Sequence, residues 1–145
     1  MCLVYIFLSK GYYPNLRNIK QSEKFIYNIW SQIVTAFNDG YDHHLIFEGL
    51  NEPRLTGTEF EWNYKNDEPI CKEAAEVLNE YMRLIFKTIR ESGGNNEKRF
   101  IMITPLAAGY QAAMQSLVEF PDDEKYNPDN SKLILSVHMY SPFLV

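Results

Sequence analysis

Apolar residues fall along this chain in two rhythms, short unbroken runs and longer stretches with a helical repeat. Residues 2–8 (Cys-Leu-Val-Tyr-Ile-Phe-Leu) form a continuous apolar run rich in β-branched and aromatic types, the pattern of a strand buried on both faces. Gly11-Tyr12-Tyr13-Pro14-Asn15 breaks that run. From Asn18 to Phe37 the positions Phe25, Ile29, Ile33 and Phe37, flanked by Ile26, Trp30 and Val34, recur at helical spacing, and the helix is expected to end near Asn38-Asp39-Gly40. Leu45 to Leu50 reads as a second strand. After a long loop, Pro69 suits the first turn of a second helix, whose buried face runs through Cys71, Ala74, Ala75, Leu78, Met82, Ile85 and Ile89 to a stop at Gly93-Gly94. Lys87 and Arg90 in its last turn complement the helix dipole. Arg99 to Thr104 reads as a third strand, Gln111 to Phe120 as a shorter helix closed by Pro121, and Lys132 to Tyr140 as a fourth strand.

A chain that alternates strand and helix in this way builds right-handed parallel units with helices on one side of a growing sheet. The expected class is α/β, with residues 1–145 as one domain and no linker. Four such strands make about half of an eight-stranded (β/α)8, or TIM, barrel, a fold that typically needs about 250 residues. A partial barrel of four parallel strands and three intervening helices is therefore expected to leave two sheet edges and an interior face to be covered by something else.

A formal net charge of −5 argues against nucleic acid or an anionic membrane as partner, since both select clustered Lys and Arg. A neutral polymer remains compatible. Cys2 and Cys71 stand far apart with no metal-ligand spacing, so neither a zinc site nor a disulfide framework is indicated. The run from Cys2 to Leu8 is too short to span a bilayer and lacks the flanks of a signal peptide.

Candidate chemistry begins at Asn51-Glu52-Pro53, where a carboxylic acid stands at the end of a buried strand. That end of the strands is where barrel enzymes keep catalytic groups. Pro53 cannot continue a central strand and restricts the residue before it, so Glu52 is expected on a fixed strand-to-loop corner. On the last strand, alternation puts Ile134, Ser136, His138 and Tyr140 on one face and Leu133, Leu135, Val137 and Met139 on the other. His138 and Tyr140 should then reach the same end as Glu52. Glu48 shares the parity of Glu52 and is expected one layer below it, hydrogen-bonded rather than catalytic. His43 and His44 precede the strand, at the opposite end, with no ligand role assigned. Glu119, Asp122, Asp123 and Glu124 read as a solvated acidic loop.

The stretch His44-Leu-Ile-Phe-Glu-Gly-Leu-Asn-Glu-Pro-Arg54, with the His-Met-Tyr of residues 138–140, resembles glycoside hydrolase family 5, the endoglucanase (cellulase) family. Gly11-Tyr-Tyr-Pro-Asn15, Ile29-Trp-Ser-Gln-Ile33 and Gly93-Gly-Asn-Asn96 extend the likeness over most of the chain. The resemblance implies a retaining endo-β-1,4-glucanase acting on cellulose, xyloglucan or a related β-glucan, with Glu52 as acid/base. It assigns substrate binding to Asn51, which would meet the 2-hydroxyl at the cleavage point. His138 is implied beside the acid/base, and Tyr140 is implied to orient the nucleophile. The Glu61-Trp62 pair is part of the likeness, and Trp62, like Tyr64 near it, lies on the loop after Glu52 where a ring could stack on glucose. No cofactor and no metal are implied, and the parent enzyme is expected to be secreted.

The resemblance stops in the first ten residues, where Phe7-Leu8-Ser9-Lys10 stands in place of the family's His-containing segment. Retaining glycosidases need a second carboxylate about 5–5.5 Å from the first. The strand that carries it in the family has no counterpart here, so the expectation is an incomplete catalytic domain covering about strands three to six. The alternative is an inactive half-barrel that binds glucan or a partner chain.

Overall fold

A computed structural model describes residues 2–7, 13–115, 118–129 and 131–139. Four strands, β1 (Cys2–Phe7), β2 (Leu45–Asn51), β3 (Ile101–Ile103) and β4 (Leu133–Leu135), pair in parallel in the order of the sequence. Between them lie α1 (Ile19–Ala36), α2 (Pro69–Glu91) and the short α3 (Tyr110–Met114). This is the expected α/β alternation. No helix among the described residues is long and apolar enough to cross a membrane.

The helices form where the apolar spacing puts them. Ile26, Trp30 and Val34 bury one line of α1, with Phe25, Ile29, Ile33 and Phe37 packed partly against the same core. Pro69 opens α2, and Gly93, at φ 72°, supplies the left-handed backbone just beyond its end. α1 and α2 lie side by side over the sheet face that carries Phe47 and Ile101, both fully buried. The Trp30 ring meets Phe47 edge-on at 5.4 Å, and its indole N–H donates to the Gly49 carbonyl at 3.3 Å. At Gly49 the sheet and α2 come so close that a Cβ would stand 2.8 Å from Met82 Sδ.

Below the sheet, a buried polar cluster locks the loops. Arg99 donates to the carbonyls of Phe37, Tyr41, Asp42 and Leu45 and to Asn96 Oδ1. Arg90, expected to cap the dipole of α2, is instead wholly buried in an ion pair with Asp123 at 2.8 Å. It also donates to the carbonyls of Asn96 and Arg99.

Several expectations are corrected. β1 is buried on one face only: Leu3 and Tyr5 are each 42% exposed, because helices cover the side of Val4 and Ile6 and the described residues put no layer on the other. The third helix stops at Met114 rather than Phe120, and Glu119 beyond it bonds to α2 through Asn79 and Arg83. The third and fourth strands are shorter than the apolar runs, because ladder pairing holds only Ile101–Ile103 and Leu133–Leu135. The acidic loop is not all solvated, since Asp123 is 3% exposed. Tyr12, Tyr140 and Leu8 to Lys10 lie outside the described residues.

Candidate functional site

The site forms where β2 runs out. Tyr5 of β1 pairs with Glu48, whereas Phe7 pairs with Asn51, so β2 carries one extra residue at Gly49–Leu50. Such a bulge re-aims the side chains beyond it, and bulges gather beside active sites for that reason. Glu52 then turns the chain at φ 43°, an uncommon conformation for a residue that is not glycine. Pro53 locks the corner from the other side. Asn51 and Glu52 are both half-buried at this end of the strand.

Two backbone hydrogen bonds clamp the corner to the ends of the neighbouring strands. Ala107 N–H donates to the Pro53 carbonyl at 2.6 Å, and His138 N–H donates to the Ala108 carbonyl at 2.9 Å. Ala107 and Ala108 have φ of 53° and 49°, which makes them, with Glu52, the non-glycine residues of positive φ among those described. Backbone held in sparsely populated conformations persists where surrounding structure over-determines it, and it clusters at functional sites. Alanine rarely takes this conformation, so nothing in the sequence marked the pair.

Across this clamp the side chains converge. His138 Nδ1 lies 2.8 Å from Glu52 Oε1, and its Nε2 lies 3.8 Å from Oε1 of Glu48. Glu48, 2% exposed, accepts a hydrogen bond from Ser136 Oγ at 2.6 Å. It therefore sits below Glu52 as a hydrogen-bonded support, as its parity suggested. Beyond the short ladder of β4, Ser136 N–H still donates to the Ile103 carbonyl, so the chain keeps to the edge of β3 and delivers His138 to Glu52.

The loop after Glu52 adds a residue that sequence reading passed over. Arg54 reaches Glu52 Oε2 at 3.6 Å and Glu61 at 2.9 Å, and stacks 4.2 Å from the centre of the Trp62 ring. Its signal was its place directly after Pro53. Trp62 is 60% exposed beside it. Hydrogen bonds from Gly57 N–H, then from Arg54, hold the Glu61 carboxyl below its ordinary value. Tyr64 packs partly buried against the core, and that burial, with the Cys71 thiol near, pushes its phenol up to about 12.

At the far end of β2, the exposed side chains of Asp42, His43 and His44 bring ligand atoms within 4.8 Å of one another. A cation could be held there, but it would sit at the opposite strand end from Glu52.

The sequence profile of the cellulases, glycosyl hydrolase family 5, matches residues 9–144. The chain belongs to that family. Endoglucanase B of Ruminococcus albus is 48% identical over 115 residues, which is 79% of the chain and 25% of that relative. The cellulase/esterase CelE of Acetivibrio thermocellus is 39% identical over 134 residues, 90% of the chain and 14% of the relative. The chain thus spans a quarter or less of the length of these two relatives. Among solved structures, a family 5 lichenase from Caldicellulosiruptor sp. F32, in complex with cellotetraose, superposes with a TM-score of 0.90 at 35% identity. That match covers 97% of the chain and 38% of the lichenase. A broad-specificity endoglucanase from Ruminococcus champanellensis with bound cellotriose gives 0.84 at 35% identity, over 98% of the chain and 38% of that protein. The fold is accordingly a part of the family's (β/α)8 barrel.

Proposed function

We propose that this chain carries the acid/base side of a retaining endo-β-1,4-glucanase site and acts on cellulose, xyloglucan or a related β-glucan. Glu52 protonates the departing glycosidic oxygen and then, as carboxylate, draws a proton from the water that releases the sugar. The attacking carboxylate comes from outside the described residues. His138 holds Oε1 of Glu52, Arg54 lies 3.6 Å from its Oε2, and Glu48, itself bonded by Ser136 Oγ, faces the far nitrogen of the imidazole. Asn51 binds the sugar hydroxyl next to the cleavage point, and Trp62 offers a ring for stacking. The observation that carries this reading is the 2.8 Å contact between His138, beyond β4, and Glu52, at the end of β2, in a family 5 chain. The cello-oligosaccharides bound by the lichenase and the R. champanellensis endoglucanase support a β-glucan as substrate. On this reading the enzyme works outside the cell, where polymeric glucan is met.

The test is a chimera in which this chain replaces the matching segment of the Caldicellulosiruptor lichenase. It is expected to release reducing sugar from lichenan, and Glu52→Gln in it to lose about 10²–10⁴-fold in kcat. A Glu52→Gln chimera within tenfold of its parent would show that Glu52 is not the proton donor.

A further inference from the structure

Arg54 joins three groups that the proposed chemistry treats separately. Its Nη1 lies 3.6 Å from Glu52 Oε2 and 3.4 Å from the Glu52 carbonyl oxygen, its Nε donates to Glu61 Oε1 at 2.9 Å, and its guanidinium carbon stands 4.2 Å from the Trp62 ring centre. The second oxygen of Glu61 accepts from Gly57 N–H at 2.8 Å, which closes the loop on itself. A guanidinium is planar, so its flat face can lie on an indole while its edge reaches carboxylates. A lysine ammonium has no such face. One side of Trp62 is thereby occupied by the cation, and the ring still leaves 60% of the residue in solvent.

We propose that Arg54 is a positioning residue that holds the Trp62 ring flat for a glucan pyranose to stack on and holds the Glu52 carboxylate beside it, so that sugar platform and proton donor move as one unit. The sugar part of this proposal rests on the glucanase reading above. The link between Arg54, Glu52 and Trp62 does not. Among the described residues the charged or titratable groups around Glu52 are Arg54 on its own loop, His138 beyond β4, Glu48 on β2 against the far nitrogen of His138, and Glu61 paired to Arg54. Arg54 is the permanent cation in this set, and it favours the ionised form of Glu52 by proximity.

The experiment uses the 145-residue chain, with the Glu52 carboxyl followed by 13C NMR through a pH titration and the two tryptophans by their indole N–H resonances. Trp30, buried and hydrogen-bonded to Gly49, serves as the internal control for folding. Arg54→Met, which keeps the stem and removes the charge, is expected to move the Glu52 titration to higher pH and to shift the Trp62 resonance while leaving Trp30 in place. Arg54→Lys restores the Glu52 titration but not the Trp62 resonance, because only the planar group can do both. Glu61→Gln releases the cation toward Glu52, so Glu52 titrates at lower pH, and this variant decides the matter should Arg54→Met lose the Trp30 signal. Cellotetraose affinity is expected to fall about fivefold in Arg54→Met and in Trp62→Ala alike, within the range of a lost cation–π contact. In Arg54→Met, movement of Glu52 alone or of Trp62 alone, or of neither, overturns the proposal. Cellotetraose affinity is measured in the lichenase chimera, where a wild-type chimera that does not bind it counts against the glucanase reading, and the two spectroscopic readouts on the chain still judge the role of Arg54.

Discussion

His138 Nδ1 stands 2.8 Å from Glu52 Oε1, although 86 positions separate the two residues in the chain. The contact exists because β2, β3 and β4 run parallel in sequence order, so that the ends of β2 and β4 open on the same side of the sheet. With Nδ1 protonated the imidazole donates to the carboxylate, and with Nδ1 unprotonated it accepts from the carboxylic acid. One histidine can thus serve both protonation states of Glu52.

His138→Ala in the lichenase chimera should lower kcat about 10- to 100-fold with KM changed much less, since a misplaced proton donor costs rate rather than binding. His138→Gln, which keeps a side-chain donor, should recover part of the loss. Steady-state rates on lichenan separate these outcomes, and an unchanged kcat in His138→Ala would remove the histidine from the reaction.

Asp123→Asn should destabilise the chain by about 3–5 kcal/mol, because it leaves Arg90 charged and buried without its partner. Urea denaturation followed by circular dichroism measures this. Burial by itself would raise the Asp123 carboxyl, but the hydrogen bonds from Arg90 and from Lys132 N–H, with the Arg90 charge and Asn127, outweigh it and hold the group below its ordinary value. A carboxyl lower in the folded than in the unfolded state contributes stability above the unfolded value of about 3.9 and loses it as pH falls below that. The wild type should therefore weaken steeply below about pH 4, and Asp123→Asn should not show that acid-dependent component.

Arg99→Met should leave the carbonyls of Phe37, Tyr41, Asp42 and Leu45 without the donor they share. Each buried acceptor left unsatisfied costs about 1–3 kcal/mol, less where water can enter. Hydrogen exchange is the direct check, with faster exchange expected at Phe37 to Leu45 before it spreads to α2. Uniform protection across that segment in the variant would show that the loops hold without Arg99.

Gly49→Ala should cost about 1–3 kcal/mol, since the new methyl carbon meets Met82 Sδ at 2.8 Å and α2 must shift or Met82 must leave its rotamer. Thermal unfolding of Gly49→Ala alone and combined with Met82→Ala tests the cause. The double variant should lose less than the sum of the two single losses, and strict additivity would place the strain elsewhere.

The strand and helix pattern, the family and the pairing of Glu52 with His138 were all legible in the order of residues. Local signals carry them: an apolar run with Pro53 at its end, a helical repeat from Phe25 to Phe37, and alternation that put Ser136 and His138 on one face. Burial was less legible. An apolar run such as Leu3-Val4-Tyr5-Ile6 states what a strand can bury, whereas what covers each face depends on the elements packed against it. Likewise Asp122, Asp123 and Glu124 are alike in composition, and only the position of Arg90 on α2 draws one of them inside.

By itself, then, the sequence determined the parallel α/β alternation and the residues that meet at the strand ends, because periodicity and turn chemistry are local and add up along the chain. Tertiary structure alone decided the strained backbone at Glu52, Ala107 and Ala108, the burial of Arg90 with Asp123, and the reach of Arg54 to both Glu52 and Trp62. The ion pair and the clamp bring together groups tens of residues apart. The Arg54 contacts span few residues but depend on how the loop closes on itself, and in each case packing, not propensity, fixes the distance.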